Sequence, residues 1–153
     1  MTTVAMFNHE CPACKRVFVH PHLGDVSYGD FIFSGEQGTV VAYSIAIDNP
    51  SWNFLATLLT ELPSGATAQN DRADLLQGAF AHFADPINGQ RLCNFTVCPH
   101  CLNRHGDRFG ECIGSAEIPT ASHEWYSSLP EAERARLASA YFQAQQVSTG
   151  GED

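Results

Sequence analysis

The chain has 153 residues, 44% of them apolar, enough to bury one hydrophobic core, so it reads as one domain over residues 1–146 with a small, polar, flexible tail from 147 to 153. Eight basic side chains against seventeen acidic ones give a net charge of −9, which argues against a generic nucleic-acid or anionic-membrane binder and suits a basic partner. No apolar run approaches the ~20 residues of a membrane span. The first ten residues have neither the basic region nor the apolar run of a secretory signal, so a cytoplasmic protein is expected.

In chain order, Val4–His9 predicts a strand that leads into Cys11-Pro12-Ala13-Cys14, and Val17-Phe18-Val19 predicts a second strand leaving it. Lys15 and Arg16 follow the second thiol, where cations lower the electrostatic cost of clustered thiolates. Lysine and arginine are then absent as far as Asp71, while Asp25, Asp30, Glu36, Asp48 and Glu61 fall in the same stretch and are expected to form an anionic interaction surface. Phe31-Ile32-Phe33, a turn over Gly35–Gly38 and nine alternating residues from Thr39 to Ile47 predict a hairpin. One face of its second strand is large and apolar; the other, Val40, Ala42, Ser44 and Ala46, is small and expected to be wet or closely approached by another backbone.

Asn49-Pro50 is a helix start, with asparagine as N-cap and proline in the first turn, and Trp52, Leu55, Leu59 and Leu62 form an apolar stripe behind it. A second helix is expected from about Asn70 to Ala84, burying Leu75, Leu76, Ala79, Phe80 and Phe83, with His82 solvated. Arg91–Val97 predicts one strand delivering Cys98-Pro99-His100-Cys101; the polar, glycine-punctuated 102–110 predicts a loop, and Cys112 falls in an irregular stretch as a free thiol. Near the end, a helical turn carries Trp125, and Ser128-Leu129-Pro130-Glu131 has capping-box spacing ahead of a helix whose stripe is Leu137, Tyr141 and Ala144. His123-Glu124 is expected at the surface.

The two C-x-x-C pairs carry the sharpest chemistry. Each places two thiols within reach of one ion, and together Cys11, Cys14, Cys98 and Cys101 make a tetrahedral thiolate set of structural zinc type, with iron an open alternative. The 83 residues between the pairs exceed the usual ~15–20. Loop closure costs only ~0.6 kcal/mol per doubling of length, against the ~10–16 kcal/mol that structural zinc contributes. On these motifs the chain resembles the zinc-ribbon or rubredoxin-like class. The resemblance covers about thirty residues around the knuckles and implies a metal and a local fold, without implying an activity. It departs from the class where glycine is customary after the second cysteine, at Lys15 and Leu102. Cys93 and Cys112 are candidate substitute ligands.

The expected fold is α+β: a zinc ribbon built from two distant knuckles, an inserted antiparallel sheet with two helices, and a C-terminal helix. The expected function is a non-catalytic, acidic, zinc-binding protein acting by protein–protein interaction, a small inhibitor of immunity or anti-defence type directed at a basic partner. One alternative is a nucleic-acid-associated ribbon using a basic pole made of His9, His20, His22, His100, His105, Lys15, Arg16, Arg104 and Arg108. Another is a thiol-disulfide oxidoreductase, because C-P-H-C resembles the active-site motif of thiol oxidases of the thioredoxin fold. That chemistry needs a helix starting at the first cysteine, and none is expected there.

Overall fold

The computed structural model describes residues 1–23, 29–62, 69–106 and 108–150. The N-terminal apolar stretch forms β1 (Thr2–Glu10), and β2 (Val17–Pro21) returns antiparallel to it, so that Glu10 faces Val17 and Phe7 faces His20. Cys11–Cys14 is the turn between them. The other neighbour of β1 comes from much later in the chain: β8 (Phe109–Ile118) completes the sheet in the order β2-β1-β8. Cys112 therefore lies on a strand and not in irregular chain, and the loop expected over 102–110 gives way to strand from Phe109. Residues 109–115 are all exposed, so β8 shows no apolar alternation and is held by backbone pairing with β1.

A second sheet, in the order β4-β3-β5, comprises β3 (Asp30–Gly35), β4 (Val41–Ile45) and β5 (Leu92–Cys93). The hairpin forms as predicted, but its faces are the reverse of the size rule. Val40, Ala42, Ser44 and Ala46 are buried, whereas Ile45 and Ile47 are 43% and 58% exposed. The small face lets the helices settle close to the sheet, where Phe33, Leu55 and Phe80 fill the space. The expected single strand over 91–97 is broken. Leu92–Cys93 pairs with β3, the chain bends at Asn94–Phe95, and β6 (Thr96–Val97) pairs instead with β7 (Arg104–His105). Burial follows the break: Leu92, Cys93, Thr96 and Val97 are inside and Phe95 is outside.

Helix α1 (Pro50–Glu61) begins as predicted, with Asn49 Oδ1 accepting from the Ser51 and Trp52 N–H groups at 3.0 and 3.2 Å. Leu55 and Leu59 point into the core, with Trp52 and Leu62 at its margin. Helix α2 (Gln69–His82) buries Ala79 and Phe80 and lays Leu75 and Leu76 against the same core. His82 is not solvated; it is half-buried, with its ring 4.9 Å from those of both Phe83 and Tyr141. Burial, and secondarily Arg91, lowers its pKa.

The short α3 (Glu124–Ser128) is followed by α4 (Glu131–Gly150), the last described element. The Ser128 capping box does not form. Its hydroxyl donates back to the Trp125 carbonyl at 2.6 Å, and the Pro130 carbonyl accepts from the Glu133 and Arg134 N–H groups. The docked stripe of α4 is centred on Ala138 and Phe142, with Leu137 and Tyr141 beside them and Ala144 exposed. His123, expected at the surface, is buried: Nε2–H donates to the Phe80 carbonyl at 2.7 Å and the ring stacks on Phe80 at 4.3 Å. A carbonyl only accepts, which fixes this tautomer.

Candidate metal centre

The two cysteine turns are built alike. In the first, the Cys11 N–H donates to the Arg16 carbonyl and the Cys11 carbonyl accepts from Lys15 N–H, both at 2.9 Å; in the second, Cys98 N–H donates to Asn103 at 3.0 Å and its carbonyl accepts from Leu102 N–H at 2.8 Å. Each therefore closes at the same two offsets from its first cysteine. The residue four places on has a left-handed backbone in both, with φ of 66° at Lys15 and 64° at Leu102. These are the two positions where the sequence departs from the customary glycine, and each side chain there carries a strain of ~1–2 kcal/mol.

The hairpins β1–β2 and β6–β7 bring the turns face to face. All four sulfurs lie within 4.8 Å of one another, with Cys11 Sγ to Cys101 Sγ at 3.6 Å and Cys14 Sγ to Cys98 Sγ at 3.7 Å. A tetrahedron with metal–sulfur bonds of ~2.3 Å has edges of ~3.8 Å, which the Cys11–Cys101 and Cys14–Cys98 separations match, so the set is compatible with one ion. Backbone N–H groups point at the sulfurs as they do at thiolates: Ala13 and Cys14 to Cys11, and His100 to Cys98, at 3.4–3.5 Å. Burial by itself raises the Cys11 pKa, but the Cys14 and Ala13 N–H groups and the neighbouring thiols outweigh it and bring the pKa down to about 6. At Cys101 the balance reverses. The Asn103 N–H lowers its pKa, and burial with the three other sulfurs pushes it up to about 11. Four thiols this close cannot all ionise alone, and a divalent cation in their midst takes the place of the missing protons.

Around the sulfurs, Cys11, Cys98 and Phe18 form a small buried cluster with Cys14 at its edge. Next to it stands a group of rings that sequence reasoning placed on a basic pole. His9, His20 and His105 are buried; His9 stacks on Phe18 at 5.7 Å and meets His20 edge-on at 5.1 Å, and Phe18 meets His105 at 6.0 Å. Burial, reinforced by His9, His105 and His22, lowers His20 to about 3, so this ring is neutral and part of a core. The signal for this was available: Phe7 and His9 on one strand and Phe18 and His20 on the next recur at a spacing of two, which puts them on one face.

The turn of the second hairpin leans on the second knuckle. Gly38 has φ of 75°, and a Cβ placed there would lie 2.8 Å from both Pro99 Cα and the Val97 carbonyl. Cys93 and Cys112 stand outside the four-sulfur set. The Cys93 thiol is buried, which raises its pKa, and donates to the Phe95 carbonyl; Cys112 is exposed on β8. No helix starts at Cys98, whose turn runs between two strands.

No family model, no curated protein and no solved structure matches this chain. Its site thus stands on its own geometry. Among the remaining candidates, Glu36 lies 4.0 Å from Arg104 across the exposed rim, and Arg108, Asp48 and Glu61 are exposed. Asp30 is half-buried and accepts from the Tyr43 hydroxyl at 2.8 Å. Asp30 opens β3 and Glu36 follows its last residue, so the two stand ~20 Å apart. Asp25 lies outside the described residues. Among the described residues, no helix is long and apolar enough to cross a membrane.

Proposed function

We propose that this chain is a non-catalytic protein-binding module of the zinc-ribbon type, in which one zinc ion joins the two knuckles and an acidic body receives a basic partner. The observation that carries the reading is the donor set: four cysteine sulfurs within 4.8 Å of one another, which as thiolates on one zinc would leave it no open position for substrate or water. Zinc suits an all-sulfur tetrahedral site, and two facing knuckle hairpins, β1–β2 and β6–β7, suit a ribbon. The net charge of −9 favours a cationic partner, and an inhibitor that covers such a partner's working surface is the role these features support best.

Elemental analysis of protein purified without added metal tests the first half: about one zinc per chain is expected, with loss in Cys11→Ser and in Cys98→Ser alike. Zinc retained in either variant refutes the joined site, and iron in its place refutes the assignment of the ion. The second half is tested by affinity capture on the intact chain. A basic protein whose retention falls steeply with salt is the expected result, whereas retention of nucleic acid, lost in Arg104→Ala and Arg108→Ala, overturns it.

A further inference from the structure

The sheet β4-β3-β5 contains a gap. At its two ends β3 bonds to β4 through Gly29 and Gly35: the Ala46 N–H donates to Gly29 at 2.7 Å and the Gly35 N–H to Val40 at 2.8 Å. With a period of two, Phe31 and Phe33 also direct their backbone groups toward β4, and Asp30, Ile32 and Ser34 direct theirs toward the opposite edge. On that edge Ser34 is paired with Cys93, and the Glu36 N–H reaches the Arg91 carbonyl at 3.0 Å. The next rung would be Ile32 with Phe95. The chain instead bends away at Asn94–Phe95 to join β7, and no strand among the described residues pairs with Ile32 or Asp30 on this side. A cavity of about 200 Å³ lies here, between residues 30–33 of β3 and residues 20–23 at the end of β2, with Gln77, Asn94 and Phe95 around it.

We propose that this gap is a docking slot for an extended segment of a partner protein carrying a lysine or arginine, added beside β3 with Ile32 as its backbone partner and Asp30 as its charge partner. The proposal rests on the protein-binding reading above and names the seat. Backbone pairing supplies the affinity in this mode of recognition, and side chains supply the choice. Charge selects a cation: Asp30 is the one carboxylate among the described lining residues, which include no lysine or arginine. One of its oxygens accepts from Tyr43, while the other, Oδ1, is buried and has no hydrogen-bond partner among the described residues. His20, on the facing wall, is held neutral by burial and adds no repulsion. Phe95, 47% exposed at the rim, offers a ring to an apolar neighbour of the cation.

The test is NMR titration of the metal-loaded, isotope-labelled full chain with two capped hexapeptides, one alternating valine with lysine and one alternating valine with glutamate. The lysine peptide is expected to shift the Asp30, Ile32 and Asn94–Thr96 amides, to slow hydrogen exchange at Ile32 about tenfold, and to bind roughly tenfold more tightly than the glutamate peptide. Asp30→Asn should weaken it about fivefold. So should Gln77→Arg, which places a cation at the slot and leaves the Asp30–Tyr43 bond intact. Shifts confined to another surface, equal binding of both peptides, or lysine-peptide binding unaffected by Gln77→Arg each overturn the slot. If the slot fails in this way while a basic protein captured on the intact chain still binds, the broader reading stands; if capture fails too, both fall.

Discussion

Replacing Gly38 by alanine separates two costs that are usually mixed. The first is conformational: an alanine at φ of 75° is in the left-handed region and loses ~1–2 kcal/mol. The second is steric. The new methyl would sit 2.8 Å from Pro99 Cα and the Val97 carbonyl, backbone atoms that cannot rotate aside, and overpacking of this kind costs a further ~1–3 kcal/mol. Gly89 provides the control, because it has the same φ of 75° and nothing within 4 Å of the place a Cβ would take. The reduced chain entropy of the unfolded state favours both alanines equally and cancels in the comparison. In urea unfolding of the metal-loaded protein, Gly38→Ala should therefore lose ~2–5 kcal/mol and Gly89→Ala only ~1–2 kcal/mol. Competition against a chromophoric chelator should show weaker metal binding in the first variant alone, since Pro99 stands between two ligands. Equal losses in the two variants would refute the close approach of this turn to the second knuckle.

At Leu102, glycine should raise stability by ~1 kcal/mol, read as a higher midpoint in urea, because it relieves a left-handed side chain that is 52% exposed and buries little. His20 makes stability fall with acid. Its unfolded pKa is 6.5 and its folded value about 3, so between these the unfolded chain binds the extra proton and stability drops as pH falls through that window. From pH 7 to 5 the loss is ~2 kcal/mol, and His20→Phe, with the same thiols, should lose about that much less over the same range. Cys93→Ser and Cys112→Ser should each keep one metal per chain by elemental analysis, and loss in either would redraw the ligand set. Removing the metal with chelator should speed amide exchange at residues 11–16 and 98–103 while the amides of Ala79, Phe80 and Phe142 stay protected.

What the sequence revealed depended on whether a signal was local. Asn49-Pro50 is legible because the cap bonds residues two and three places away, and the C-x-x-C pairs are legible because each turn closes within six residues. That the pairs meet across 83 residues followed from chemistry alone, since two thiols rarely suffice for one ion. Three things stayed hidden. Strand β8 is exposed along most of its length and owes its form to β1, far away in sequence. The faces of β4 were misassigned because burial follows the helices' approach and not side-chain volume; Ala42 and Ala46 are inside because Phe33 and Phe80 already fill the space. His20 was misread because charge is a property of environment: packed with His9 and Phe18, a ring that titrates near neutrality in water becomes neutral packing.

The metal centre and the gap beside β3 are one piece of design. Apolar burial around the knuckles is slight, with Phe18 the one large side chain in that cluster, and fully burying such a ring stabilises by ~1.5–3 kcal/mol. A structural zinc held by the four sulfurs would contribute ~10–16 kcal/mol, so on the proposed reading the ion, more than the apolar cluster, would decide where Cys98 sits. Cys98 in turn decides where β5 must stop. Had the chain continued along β3, Phe95 would have paired with Ile32 and closed the sheet edge; drawn to the sulfurs, it turns at Asn94 and leaves that rung open. The main core, built from Phe33, Leu55, Phe80 and Phe142, touches neither knuckle and keeps the helices in place without the ion. A metal at the four sulfurs would thus hold the Cys98 knuckle, which lies outside that core, and with it the width of the slot in which a partner's segment would lie.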